Sequence, residues 1–239
     1  MRDEAEVAPG GYLDLLGPAE PESTGLIQSF MLSSAVPRVY ERWWRPAWGR
    51  LAKGLLGPGM ADEHRIARLM LGLSPGDGVL DVGCGTGNFT RDFARSVGPG
   101  GLAVGIDLSE TMLTRAVEDT RRDGLEQVAY VRGNAEEPPF REQSFDAVCC
   151  FAALNLFADP MRAIDAMTRV LTPGGRIALF TSVRGRSAPL RTAESLLEAR
   201  SGARMFERDE LTGALQARGY TDIRRRITGI TQFVGGRLG

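Results

Sequence analysis

Between Val79 and Thr90 an apolar pair, Val79-Leu80, ends in Asp81 and opens into Gly83-Cys84-Gly85-Thr86-Gly87. Such closely spaced glycines let the backbone turn sharply and let a ligand approach main-chain N–H groups at a helix N-terminus. The stretch therefore predicts a strand, a ligand-cradling turn and a helix start. The spacing separates ligand classes. A dinucleotide turn carries Gly-x-Gly-x-x-Gly to seat a pyrophosphate, whereas here one residue separates the second glycine from the third, and an acid precedes the first. A carboxylate at that strand tip repels pyrophosphate and suits a cationic ammonium or sulfonium. A second acid, Asp107, closes the next apolar run, Leu102 to Ile106. One crossover after the glycine turn is where ribose hydroxyls need an acceptor. The competing assignments are a plain turn residue for Asp81 and a helix-cap acid for Asp107.

The elements that must position these acids alternate along the chain. Strand-like and helix-like segments follow one another from about residue 60, which argues for parallel strands joined by right-handed crossovers. A helix at about Ala61 to Leu71 leads through Ser74-Pro75-Gly76 into the first strand. Ser109 before the run Glu110 to Arg122, and Asp159 with Pro160 before the run to Leu171, are N-cap placements. Residues 189–201 and 208–218 read as helices, and Thr221 to Ile227 and Ile230 to Val234 as closing strands. Upstream, Val36, Val39, Tyr40, Trp43, Trp44, Ala47, Trp48, Leu51 and Leu55 recur at helical spacing. Pro46 interrupts that stripe and predicts two helices meeting near Arg45. Core packing, a lid over the site, and a membrane-surface helix all fit this stripe; Arg38, Arg42, Arg45, Arg50 and Lys53 interleave with its tryptophans as an interfacial helix requires. Residues 1–25, rich in Pro, Gly and acids, read as a flexible tail with at most a helical turn at Tyr12 to Leu16.

VLDVGCGTGNFT resembles the first motif of the class I S-adenosylmethionine-dependent methyltransferases. GIDLSETML, GNAEEPPF, SFDAVCCFAALNLFADP and RVLTPGGRIALF resemble the family's later segments in the expected order, the last as a helix, a Pro-Gly-Gly turn at Pro173 to Gly175 and the fifth strand. The resemblance covers roughly residues 60–234 and is greatest to the ubiquinone- and menaquinone-type enzymes, through YERWW and ITGITQFVGGRL. It implies an α/β, doubly wound, Rossmann-like fold: a seven-stranded, mostly parallel sheet with helices on both faces and the last strand antiparallel. An N-terminal helical segment at 26–72 would precede a core at 73–239.

The cofactor implied is S-adenosylmethionine, held by Asp81, Gly83, Gly85, Gly87, Asp107, Leu108, Met112, Asn134, Ala135 and Phe151. Asp81 would lie near the methionine end and Asp107 on the ribose hydroxyls. Leu108 and Met112 would pack on adenine, with a core role the alternative for Met112. Ala135 would offer its backbone N–H to the ring. Asn134 stands where many relatives carry an acid; its amide carbonyl can accept the same adenine hydrogen bond without the charge.

Many relatives carry a Leu-His-His or similar pair where this chain reads Leu154-Asn155-Leu156. His64, the single histidine, lies on the helix before the first strand and suits packing or the surface. A histidine base is therefore not assigned, and the catalytic candidates are Asn155, to orient an acceptor, and Tyr40. Methyl transfer tolerates this, because an activated methyl needs in-line placement of the acceptor more than proton transfer. No clustered acidic, His or Cys set suggests a metal, so metal-independent transfer is expected.

The chain has 239 residues, 43% hydrophobic and 25% charged, with a formal net charge of −1. That length supports a single sizeable core, and the charge balance argues against nucleic acid. Three cysteines, two adjacent at Cys149 and Cys150, form neither a disulfide framework nor a zinc set. The acidic start lacks the basic region and apolar run of a signal peptide, and no segment reaches membrane-spanning length. The expectation is a cytoplasmic enzyme methylating a small, largely apolar metabolite: phenolic, quinone-like, lipid or polyketide. Peripheral membrane contact is a minor alternative, and the oligomeric state is not legible. The rivals are a non-catalytic S-adenosylmethionine-binding protein and a nicotinamide-dependent oxidoreductase.

Overall fold

The computed structural model describes residues 6–16 and 59–239. Its strands are β1 (Glu6–Val7), β2 (Leu13–Asp14), β3 (Gly78–Val82), β4 (Leu102–Asp107), β5 (Val128–Arg132), β6 (Phe145–Phe151), β7 (Leu171–Ser182), β8 (Tyr220–Thr228) and β9 (Thr231–Leu238). The helices are α1 (Met60–Leu71), α2 (Asn88–Val97), α3 (Glu110–Arg122), α4 (Pro160–Val170), α5 (Ala188–Ser201) and α6 (Glu210–Ala217), with a 3₁₀ turn at Leu154–Leu156.

All described strands join one nine-stranded sheet in the order β1-β2-β5-β4-β3-β6-β7-β9-β8. From β2 to β7 neighbouring strands are parallel, while β9 runs antiparallel between β7 and β8. The expected α/β doubly wound sheet and its antiparallel last strand are present, and the two-residue strands β1 and β2 are additional to the seven anticipated. The order reverses at β3, between β4 on one side and β6 on the other. The carboxyl ends of strands diverge there, which is where an open α/β sheet binds ligands.

Period-two alternation feeds both faces of the sheet. Leu80, Val104, Val148 and Leu179 bury against α4 and α6 through Ile164, Met167, Leu211 and Leu215. Val79, Ala103, Ala147 and Ala178 bury against α1 and α2 through Leu71, Phe89, Phe93 and Val97. The helix starts follow the local chemistry. Ser109 Oγ accepts from the Met112 N–H, and Asp159 accepts from the N–H groups of Met161 and Arg162 just after Pro160 takes the first helical position.

Two local expectations are corrected. Tyr12 to Leu16 is not a helical turn on a tail: β1 and β2 form a hairpin, and β2 pairs in parallel with β5, Leu13 opposite Val131 and Asp14 opposite Arg132. The free edge of β5 supplies unpaired backbone groups that a short extended segment satisfies, and Tyr12 buries against Leu113, Ala116 and Val117 of α3. Pro173-Gly174-Gly175 is not a separate turn, since α4 runs straight into β7. These residues instead absorb a register shift in which Leu171 faces Phe145 and Arg176 faces Ala147. The aromatic stripe at 36–55, with Tyr40 and the joint at Pro46, lies outside the described residues. Within 26–72 the structure describes α1, whose Ala67 and Leu71 bury against the β3 and α2 side of the core.

Candidate functional site

A cavity of about 400 Å³ opens at the carboxyl ends of β3, β4, β5 and β6, within the range of small-molecule sites. Of the ten residues the sequence placed around the cofactor, nine line it: Asp81, Gly83, Gly85, Asp107, Leu108, Met112, Asn134, Ala135 and Phe151.

Gly87 is not among the lining residues. It caps α2 in the left-handed region, at φ 72°, and a Cβ there would stand 2.2 Å from the Tyr130 hydroxyl. Its role is to let α2 start against β5. Gly83, at φ 70°, is required for a different reason: a Cβ would come within 2.4 Å of Ala153 Cβ, so the turn after β3 and the loop after β6 can close together only over glycine. Arg91 braces the turn from α2, donating to the Thr86 carbonyl at 2.6 Å and to Asn88 Oδ1 at 2.8 Å.

Two carboxylates organise the cavity. Asp81 is 2% exposed; its Oδ2 accepts from the Thr90 hydroxyl at 2.6 Å and its Oδ1 from the Cys149 thiol at 3.5 Å. Burial, then the Asp81 charge, pushes the Cys149 thiol well above its ordinary value. Asp107 ends β4 with both oxygens held by backbone: Oδ1 accepts from the Ser109 N–H at 2.9 Å and Oδ2 from the Gly85 N–H at 2.8 Å. Burial raises its pKa, and the N–H donors of Ser109, Gly85 and Leu108 pull against that rise. Each carboxylate oxygen has two lone pairs, so the bonds that orient Asp107 leave it acceptor capacity at the cavity wall.

Asn134 lines the cavity and also serves the local backbone. Its Oδ1 accepts from the Glu136 N–H at 3.0 Å, a local Asx turn that shapes the rim after β5. Glu136, which sequence reasoning missed, lines the cavity, and its Oε1 accepts from the Asp159 N–H at 3.0 Å. That bond ties the segment after β5 to the N-terminus of α4.

Asn155 is not brought to the cavity. It lies in the 3₁₀ turn, where its carbonyl accepts from the Arg204 N–H at 2.8 Å, and its neighbours Leu156 and Phe157 are the lining residues. The other candidate, Tyr40, lies outside the described residues. His64 packs, as its position suggested: its ring stacks on Phe89 at 4.3 Å, and Nδ1 stands 3.3 Å from Asp92 Oδ2. Asp92 also accepts from Arg68 through both oxygens at 2.6 Å. Phe89 turns its own surface to the cavity and touches Phe151 at 4.7 Å between ring centres. Cys84, Phe89, Leu156 and Phe157 were also missed. Helical period marks Phe89 as apolar-face, but nothing local tells which apolar residues stop at a cavity.

All three cysteines are free thiols. Among the described residues no group of three His, Cys, Asp or Glu side chains is gathered for a metal, and no helix is long and apolar enough to cross a membrane.

Comparison with known proteins agrees with this geometry. The methyltransferase domain family matches residues 80–179. Demethylmenaquinone methyltransferase of Bacillus cytotoxicus is 42% identical over 108 residues, which is 45% of this chain and 46% of that protein. The Staphylococcus aureus enzyme of the same name is 40% identical over 120 residues, 48% and 49% of the two chains. The chain thus spans about half the length of the curated relatives it matches. Among solved structures, an S-adenosylmethionine-dependent methyltransferase from Aquifex aeolicus superposes with a TM-score of 0.63 at 18% identity, covering 86% of this chain and 98% of that one. The [4+2]-cyclase SpnF gives 0.69 at 19% identity, covering 92% and 97%. At such identities the structural likenesses carry the fold alone, and SpnF's name is a reminder that one fold hosts several chemistries. The methyltransferase-domain match thus falls on residues 80–179, the part of the chain that supplies Asp81, Asp107 and most of the cavity wall.

Proposed function

We propose that the chain binds S-adenosylmethionine in this cavity and transfers its methyl group to a small, largely apolar acceptor, phenolic or quinone-like. The observation that carries the reading is the pairing of the glycine turn with Asp107. A carboxylate fixed by backbone N–H donors at the tip of β4, next to a turn that opens on the cavity, matches a ribose diol. Asp81, one strand over, supplies negative charge suited to a cationic group. When bound, the cofactor supplies a methyl already activated by its sulfonium.

The chain's own contribution is then binding, placement and exclusion of water. Phe89, Phe151, Ala153, Leu156 and Phe157 make the wall beyond Gly83 apolar, which favours an acceptor with a flat hydrocarbon body and keeps water from the reacting atoms. The relatives named for demethylmenaquinone support a quinone-like acceptor. The titratable side chains among the described lining residues are Asp81, Cys84, Asp107 and Glu136. An acceptor that ionises readily, or a carbon made nucleophilic by a neighbouring phenolate, fits this set better than an alcohol that needs a strong base. The free cysteines are consistent with a cytoplasmic setting, which we include in the proposal, together with the absence of a nucleic-acid partner.

Labelled S-adenosylmethionine, incubated with the protein and a panel comprising a demethylmenaquinone in its reduced form, simple naphthols and phenols, tests the reading. Label in a quinone-like product is expected. Cofactor binding without label transfer to any acceptor would favour a binding-only protein, and a thermal shift with a nicotinamide cofactor instead would favour an oxidoreductase.

A further inference from the structure

The strand order sets the residues read above as a nucleoside site in sequence across the sheet. The glycine turn follows β3, Asp107 ends β4, and Gly133-Asn134-Ala135 follow β5, so a base attached to a ribose at Asp107 extends toward β5 and the strand beyond it. The strand beyond is β2. Leu15 donates its N–H to the Arg132 carbonyl at 3.1 Å, which sets the next residue, Leu16, beside the segment that leaves β5. Leu16 lines the same cavity as Leu108, Asn134 and Ala135.

One carboxylate holds this arrangement from both sides. Asp14 Oδ1 accepts from the Leu16 N–H at 2.9 Å, and Oδ2 accepts from Arg132 Nη1 at 3.0 Å. Arg132 is 4% exposed, donates through Nε to the Leu108 carbonyl at 3.3 Å, and pairs with Glu110 at 2.9 Å. It thereby joins the hairpin, the residue after Asp107 and the start of α3. Tyr12, buried against Leu113 and Val117, anchors the hairpin's other side.

We propose that Leu16 is a cofactor-binding residue that walls the adenine end of the cavity, and that the Asp14–Arg132 pair is the latch that positions it. This rests on the reading of the cavity as an S-adenosylmethionine site. An adenine ring offers flat, weakly polar faces, and an aliphatic side chain brought in from outside the seven-stranded core buries part of one face. Leu108 supplies apolar surface from the sheet itself. Asp14 and Arg132 are positioning residues: they touch the rim and the strap made by residues 14–16, not the ligand.

The test uses the full chain with S-adenosylhomocysteine and, separately, adenosine as probes. Calorimetric titration of Leu16→Ala should show weaker binding of both probes, by about 5- to 30-fold, and Leu16→Met should recover most of it. Asp14→Ala should weaken both in the same direction. In the unaltered protein, amide exchange across residues 6–16 should slow when S-adenosylhomocysteine binds, and Asp14→Ala should speed it. Unchanged affinity in Leu16→Ala, or exchange at 6–16 indifferent to the probe, would overturn the strap alone. Failure of the unaltered chain to bind S-adenosylhomocysteine would overturn the cofactor reading together with it.

Discussion

The backbone N–H of Gly85 donates to Asp107 Oδ2 at 2.8 Å, so the turn after β3 and the tip of β4 form one hydrogen-bonded unit. The glycine turn sets the orientation of the acid, and the acid holds the turn in shape for a ligand. Substituting Asp107→Ala removes a charged acceptor whose hydrogen bonds are worth roughly 1.5 to 3 kcal/mol, equivalent to about tenfold to 150-fold in affinity. Calorimetric titration with S-adenosylmethionine checks this, and near-native affinity would remove Asp107 from the ribose.

Gly83 and Gly85 both have positive φ, 70° and 54°, yet a Cβ at Gly83 would collide with Ala153 while one at Gly85 would meet nothing within 4 Å. Gly85→Ala should therefore cost only the left-handed backbone penalty, about 1 to 2 kcal/mol. Gly83→Ala should cost visibly more, because the loop after β6 must move. Urea unfolding of the two variants ranks them, and equal losses would mean that the loop gives way without resistance.

Asp92 carries a pH dependence. Burial acts to raise its pKa, but hydrogen bonds from His64 and Arg68 overcome it and hold the carboxyl below its ordinary value of 3.8. The ionised form is thus favoured by folding. Its stabilisation is complete above the unfolded value and is lost as pH falls through the lower folded value. Thermal unfolding should show a drop in melting temperature below about pH 4 that is smaller in Asp92→Asn. An identical acid limb in the variant would assign the drop to other carboxylates.

Cys149 and Cys150 are fully buried, and burial followed by the Asp81 charge raises both thiols. Cys84, half-buried at the cavity, is also raised well above its ordinary value, by burial and then by Asp107 and Asp81. At mildly alkaline pH the native protein should resist iodoacetamide at all three positions, with Cys84 the first to react, and denaturant should release all three. Mass spectrometry of the modified peptides decides it. Rapid native alkylation of Cys149 would show that β6 opens easily.

Sequence alone determined the alternation of strands and helices, the glycine turn and the acid that closes β4, because each is written in local spacing. Period-two apolar runs, N-cap residues and glycine positions act over a few residues. The same locality located most of the cavity, since ligands gather where strands end. Only the tertiary structure decided how distant segments meet. It turned Leu13 and Asp14, within the expected Tyr12 to Leu16 turn, into a strand between β1 and β5, because β5 is contributed by residues more than a hundred positions away. It assigned Gly87 to the Tyr130 contact and bent Asn134 into a turn with Glu136. It also placed Leu156 and Phe157, not Asn155, on the cavity wall. In each case the deciding energy is a contact between remote residues, which propensity and spacing do not record.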